Sequence, residues 1–126
     1  MPDDARTVLV VDDDPIMLAF LERAVGEAYA VRSAANGAAA LELAQRGEAD
    51  LVVADLHMPG LDGFAFTEAL RADARTARLP LLILSGSDKS ADRIRCLRLG
   101  ADDFVAKPFN PEELMARIAN LFRRLG

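Results

Sequence analysis

Apolar residues recur along this chain in two alternating rhythms. Thr7–Val11, Leu51–Ala54 and Leu81–Leu84 are short runs rich in Val, Leu and Ile with almost no polar interruption. A central strand of a parallel sheet is buried on both faces, so it reads as such a run rather than as alternation. Phe104–Ala106 is a shorter run and Tyr29–Ala34 a weaker one. Between them lie helix candidates at Pro15–Val25, Gly37–Arg46, Gly63–Arg71, Ser90–Leu99 and Pro111–Leu125. Pro15 and Pro111 suit the first position of a helix, and Gly100 suits a helix end.

Five strand–helix alternations predict an α/β doubly wound parallel sheet, because parallel strands need crossover helices. No Ser/Gly/Pro linker, low-complexity tract or internal repeat divides the chain. It therefore reads as one domain over residues 1–126, with an ordered core from about 6 to 124 and loose ends.

Composition removes several function classes. The hydrophobic content of 52% argues against disorder, yet no stretch approaches the roughly 20 apolar residues of a membrane span. The first residues, Met1-Pro2-Asp3-Asp4, do not read as a signal peptide, so a cytoplasmic protein without a membrane partner is expected. Cys96 is the only cysteine and His57 the only histidine. An intrachain disulfide, a cysteine-based zinc cluster and a multi-histidine site are thereby excluded. Cys96 stands among Ile94, Leu97 and Leu99 in a helical stretch and reads as a small buried hydrophobe. A net charge of −5 disfavours direct nucleic-acid binding.

Ligands of open α/β sheets bind at the carboxyl ends of the strands, near the point where strand order reverses. The residues just after each apolar run are therefore the informative ones. Asp12, Asp13 and Asp14 come after the first run, Asp55 after the third, Ser85 after the fourth, and Lys107-Pro108 after the fifth. Asp14, directly before Pro15, reads as a helix cap. Asp55 is succeeded by Leu56-His57-Met58-Pro59-Gly60 rather than by a helix, so it has no helix to cap. Among 15 basic residues only Lys89 and Lys107 are lysines. A lysine placed directly after an apolar strand suggests a point charge with reach.

Carboxylates gathered at one crevice repel unless a cation joins them, and hard oxygen ligands suit Mg²⁺. A carboxylate beside Mg²⁺ can attack phosphorus and form an aspartyl-phosphate. Phosphoryl transfer needs chiefly positioning and charge neutralisation, which a metal, an ammonium and a hydroxyl supply together. No Walker A or GxGxxG motif stands at a strand–helix junction, which disfavours a nucleotide site.

In this order and spacing, four segments resemble the receiver domain of two-component response regulators, across essentially the whole chain. They are Val8-Leu9-Val10-Val11-Asp12-Asp13-Asp14, the stretch from Asp55 through Pro59-Gly60 to Asp62-Gly63, Ser85-Gly86, and the stretch from Gly100 through Phe104 to Lys107-Pro108-Phe109. The resemblance implies a five-stranded flavodoxin-like sheet of order 2-1-3-4-5 flanked by five helices. It implies that Asp55 accepts a phosphoryl group from a histidine kinase or phosphotransfer protein. Asp12, Asp13, Asp55 and the backbone carbonyl of His57 would then hold Mg²⁺, with Lys107 and Ser85 meeting the phosphoryl oxygens. Gly86 would leave space beside that group, and Pro108 would follow a cis peptide bond. Ser85 and Phe104 would move inward together as the switch. Phe104 stands where many members of the family have tyrosine, so no phenolic hydroxyl takes part. A direct catalytic role for the lone His57 is disfavoured, since no orienting partner for it is evident.

Two other functions fit the same residues less well. One is an Mg²⁺-dependent phosphatase with an aspartyl nucleophile, although His57 stands where such enzymes need a second acid. The other is a receiver-like binding module that takes no phosphate, against which the full set of acids, Ser85 and Lys107 argues. The last third of the chain further resembles the receivers of the OmpR/PhoB group, which dimerise on phosphorylation. That likeness would pair Arg93 with Glu113, Asp103 with Arg117 and Asp102 with Arg124 across a twofold axis. Glu113 and Arg117 are four residues apart, so they share a helix face and could equally form an intrahelical pair.

Overall fold

In the computed structural model the described residues are 6–87 and 89–124. The chain alternates strictly between strands and helices: β1 (Thr7–Val11), α1 (Pro15–Gly26), β2 (Ala30–Ala34), α2 (Gly37–Gln45), β3 (Leu51–Asp55), α3 (Gly63–Ala72), β4 (Leu81–Ser85), α4 (Ser90–Leu99), β5 (Asp103–Ala106) and α5 (Pro111–Arg124). All four strand pairings are parallel, and the sheet order is β2-β1-β3-β4-β5. The expected α/β doubly wound architecture is therefore the one observed.

Burial explains which runs are easiest to read. Every residue of β3 and β4 is buried, as are four of the five in β1, whereas the edge strands β2 and β5 are largely half-buried or exposed. An edge strand faces helices less completely, so its sequence carries a weaker apolar signal. Alternate residues feed two cores. Leu9, Val11, Val52, Ala54, Leu81 and Ile83 face α2, α3 and α4, where Phe66, Leu70 and Cys96 are buried. Val8, Val10, Leu51, Val53, Leu82 and Leu84 face the other way, toward Leu21, Val25, Leu114, Ile118 and Phe122 of α1 and α5.

The helix ends obey local chemistry. Asp14 caps α1 by accepting from the Ile16 amide at 3.0 Å, and Pro15 opens the helix. Asn36 and Asp62 cap α2 and α3 in the same manner, at 2.8 and 2.9 Å. Gly100 ends α4 at φ +116°, a left-handed conformation that favours glycine.

Several boundaries differ from the expected ones. Tyr29 lies outside β2 and instead stacks its ring on Phe122, at 5.1 Å between centroids. Asp55 and Ser85 are the last residues of their strands rather than the first after them, pairing with Leu84 and Ala106. A parallel ladder is built from backbone groups, so it continues past the point where side chains turn polar. For the same reason β5 begins at Asp103. Arg46 is the C-cap of α2 rather than part of it. Leu125, expected to close the last helix, lies outside the described residues, as do the chain ends expected to be loose.

The loop between β3 and α3 is clamped by close backbone approach. A Cβ on Gly63 would lie 2.7 Å from the Leu56 Cα, and one on Gly37 would lie 2.5 Å from the Leu61 carbonyl oxygen. Gly63→Ala is expected to destabilise the protein by about 1–3 kcal/mol, since backbone rather than a movable side chain must give way. Urea unfolding checks this, and an unchanged midpoint would refute the close approach.

Candidate functional site

The strand order reverses between β1 and β3, and the acids gather at their carboxyl ends. Asp12 comes directly after β1, with its amide bonded to the Ala34 carbonyl at 3.2 Å. Asp55 closes β3, and the Leu56 amide bonds the Leu84 carbonyl at 2.8 Å, which ties the strand end to β4. Asp12 and Asp55 are buried, at 1% and 6% exposure, while Asp13 is exposed at the mouth. One carboxylate oxygen from each of the three lies within 4.8 Å of the others.

Lys107 enters from the far side of the sheet. Its amide donates to the Ser85 carbonyl at 2.7 Å, which fixes its backbone beside the end of β4. The peptide bond to Pro108 is cis, in line with the resemblance. The ammonium donates to Asp55 Oδ1 at 2.9 Å and to Asp12 Oδ2 at 3.2 Å. Asp12 Oδ1 accepts from the Asp14 amide at 2.9 Å, so both its oxygens are engaged.

The protonation of this group is set by burial and charge together. Burial pushes the Asp55 carboxyl up, and Asp12 and Asp13 add to that, while the Lys107 ammonium opposes it; the net direction is upward. Burial alone would lower Lys107, but its hydrogen bond to Asp55 and the charges of Asp55 and Asp12 prevail and raise it. The two shifts differ in origin: burial leads for Asp55, whereas the neighbouring carboxylates together prevail for Lys107 against its burial. The formal charge of the cluster remains negative, and a divalent cation would neutralise it. The donor set, three carboxylates in mutual reach, is hard and oxygen-only, which fits Mg²⁺.

The remaining residues singled out from the sequence differ in placement and burial. Ser85 is fully buried at the end of β4, and its Oγ accepts from the Ser87 amide at 3.0 Å. Gly86 has open space where a Cβ would stand. His57 is exposed in the loop after β3. Phe104 is half-buried on β5 against the core beneath α3 and α4. Cys96 is buried, and burial raises its thiol to about 11, which makes it unreactive at neutral pH.

Four of the six residues assigned to a twofold surface, Asp102, Asp103, Glu113 and Arg117, have partners within the chain. Arg117 donates to both Asp103 oxygens at 3.1 Å and to Glu113 at 2.9 and 3.1 Å. Asp102 binds Arg71 at 3.1 Å and accepts from the Leu81 amide at 2.9 Å. Arg93 and Arg124 are exposed on α4 and α5. Arg71 does not stand out in the sequence. Its only signal there is that it is a basic residue in the last turn of a predicted helix.

A doubly wound sheet with acids and a bridging lysine at its switch point defines a flavodoxin-like domain with an anionic, cation-ready site. The family model described as the response regulator receiver domain matches residues 8–119, and the chain belongs to that family, the receiver domains of two-component systems. It is 40% identical over 125 residues to the transcriptional regulatory protein GltR of Pseudomonas aeruginosa, covering 98% of this chain and 52% of that one. The chain thus spans about half the length of the curated relatives it matches. Among solved structures, chemotaxis protein CheY4 of Vibrio cholerae superposes with a TM-score of 0.86 at 31% identity, covering 92% of this chain and 98% of that one. The receiver domain of the sensor histidine kinase PA1611 from Pseudomonas aeruginosa superposes at 0.82 and 34% identity, covering 94% and 95%; that structure has a magnesium ion coordinated in its active site cleft. Among the described residues, no helix is long and apolar enough to cross a membrane.

Proposed function

We propose that this chain is a phosphorylation-controlled signalling switch in which Asp55 accepts a phosphoryl group from a histidine kinase or phosphotransfer protein. The observation that carries the reading is the Lys107 ammonium bonded to both buried carboxylates, Asp55 and Asp12, beside the exposed Asp13. An Asp55 oxygen attacks phosphorus and an oxygen–phosphorus bond forms while the phosphorus–nitrogen bond of the donor's phosphohistidine breaks, the imidazole leaving with that electron pair. Asp12, Asp13, Asp55 and the His57 carbonyl would hold Mg²⁺, which supplies neutralisation of the phosphoryl charge when bound. Lys107 then shifts its hydrogen bond from the Asp55 carboxylate to a phosphoryl oxygen. Ser85 Oγ accepts from the Ser87 amide and keeps its own proton to donate to another. Gly86 leaves that approach open.

The switch is a shift of population: the phosphoryl group favours the state in which Ser85 and Phe104 have moved inward, which alters the surface of α4, β5 and α5. No external substrate is turned over, direct binding to nucleic acid is no part of the activity, and the protein acts in the cytoplasm. Incubation with Mg²⁺ and acetyl phosphate, read by intact mass, tests the reading. A single stable phosphoryl adduct is expected. Steady hydrolysis of acetyl phosphate would indicate a phosphatase, and no adduct a phosphate-independent module; either result overturns the proposal.

We propose further that the altered α4–β5–α5 face controls dimerisation or output, with phosphorylation favouring a homodimer through it. Exposed ion pairs contribute only about 0.2–1 kcal/mol, and Arg117 already has Asp103 and Glu113 within the chain. Dimerisation would exchange these pairs rather than create them, so affinity must come from apolar contact. Ile94 and Leu97 on α4 are 46% and 45% exposed and supply it. Beryllofluoride-treated protein with Mg²⁺ is expected to scatter light as a dimer. Arg117→Glu should shift it to monomer, and Asp103→Arg in that background should restore it. A treated wild type that stays monomeric at high micromolar concentration would overturn the dimer.

A further inference from the structure

Among the described residues outside the acidic site, Arg71 in the last turn of α3 makes an extensive set of side-chain hydrogen bonds. Its Nε donates to the Gly100 carbonyl at 2.9 Å. Its Nη1 reaches the Leu79 carbonyl at 2.7 Å and the Ala77 carbonyl at 3.2 Å, and its Nη2 reaches Asp102 Oδ2 at 3.1 Å. One guanidinium thus joins the end of α3, the α3–β4 connection, the end of α4 and the start of β5. A planar fork of five donors can do this, whereas an ammonium at one point cannot.

The contacts are packed as well as hydrogen-bonded. A Cβ on Gly100 would lie 2.9 Å from the Arg71 Cγ and 3.1 Å from its Nε. Gly100 is therefore required both by its positive φ and by the arginine stem lying against it. Asp102 closes the arrangement, since the oxygen that meets Arg71 also accepts from the Leu81 amide, and the Asp102 amide donates to the Leu81 carbonyl at 2.8 Å.

Among the described residues, the opposite end of α4 is held by fewer bonds. Its N-cap, Lys89, makes no side-chain cap, and Cys96 is the only buried residue of the helix. Asp92 accepts from the Ser87 hydroxyl at 2.8 Å, and the Ser87 amide donates to Ser85 Oγ at 3.0 Å, so this end reaches β4 only through the loop that leads into the helix. The tie from the middle of α4 to another element is the exposed Arg95 over the Phe64 ring, at 4.0 Å. Segments with few buried contacts open locally at lower free energy than segments held by many.

We propose that Arg71 is a latch that pins the C-terminal end of α4 to α3 and to the start of β5, so that Gly100 is the fixed end of the helix. The phosphoryl chemistry of Asp55 is not required for this reading, and the test uses the metal-free protein.

Amide hydrogen exchange resolved residue by residue by NMR decides it. Arg71→Ala is expected to speed exchange about tenfold or more at Gly100, Ala101, Asp102 and Leu81, with Arg93 to Arg95 and the strands β1 and β3 unchanged. Asp102→Asn keeps an oxygen for the Leu81 amide and weakens only the arginine's hold, so it should give the same pattern at smaller size. It decides the matter should Arg71→Ala fail to fold. Unchanged protection at residues 100–102, or a loss spread evenly over α4 and the sheet, would overturn the latch.

Discussion

Asp55→Asn is expected to abolish phosphoryl uptake from acetyl phosphate, with no adduct in the intact mass while the wild type gains one. An amide oxygen lacks the charge that makes the carboxylate a nucleophile, and the effect on rate is of order a hundredfold or more. The fold should survive, because an amide fills the same volume and opens no cavity beside Leu84. Lys107 still has Asp12 at 3.2 Å, so its ammonium is not stranded. Circular dichroism identical to the wild type, together with the missing adduct, is the expected pair of results. An Asn variant phosphorylated at the normal rate would refute Asp55 as the acceptor.

The second large effect is on stability. Folding confines Asp12, Asp13 and Asp55 within reach of one another, and one ammonium does not balance them. Asp55→Ala should therefore raise the melting temperature of the metal-free protein. Mg²⁺ should stabilise the wild type by about 1.4 kcal/mol at ten times its dissociation constant, a rise of a few degrees in melting temperature for a chain of this size. The pH dependence carries a definite sign. Asp55 has a raised value in the folded state, so its contribution is fully present below the ordinary carboxylate value and is lost as pH rises through the raised one. Lys107, also raised, stays protonated across that window and adds no slope to it. Metal-free melts in EDTA should thus show stability falling with pH above the ordinary carboxylate range, with a shallower fall in Asp55→Asn. Equal slopes in the two proteins, and melts insensitive to Mg²⁺, would count against the cluster.

Legibility differs between elements for physical reasons. The runs at Thr7–Val11, Leu51–Ala54 and Leu81–Leu84 declare central strands because burial on both faces leaves no polar position to confuse the pattern. β2, buried only at Ala34, shows the reverse. The strand ends are harder. Asp55 and Ser85 look like loop residues in the sequence, yet the backbone ladder runs through both. Lys107 stands out in the sequence by its rarity and placement. Its actual partners, Asp12 and Asp55, lie 95 and 52 residues away, and only the crossover of β5 beside β4 brings it to them.

Asp14 capping α1, Gly100 ending α4 and the alternation of strand with helix are settled by the sequence alone, because each depends on groups a few residues apart. The parallel architecture is also a local consequence, since each strand is succeeded by a helix long enough to cross back. Tertiary structure decided which charges meet. Arg117 could have faced Glu113 alone, but packing of α5 on the sheet adds Asp103. Arg71 could have been a solvated helix terminus, but the approach of α4 turns it inward onto three other segments. Gly37 and Gly63 stand in the sequence as the first residues of predicted helices, and only the packing of Leu61 and Leu56 against them shows why a Cβ would not fit. Hydrophobic periodicity specifies which face of an element is buried. The neighbour on that face, and the polar atoms it delivers, depend on how whole elements pack, and that is settled only when the chain has closed on itself.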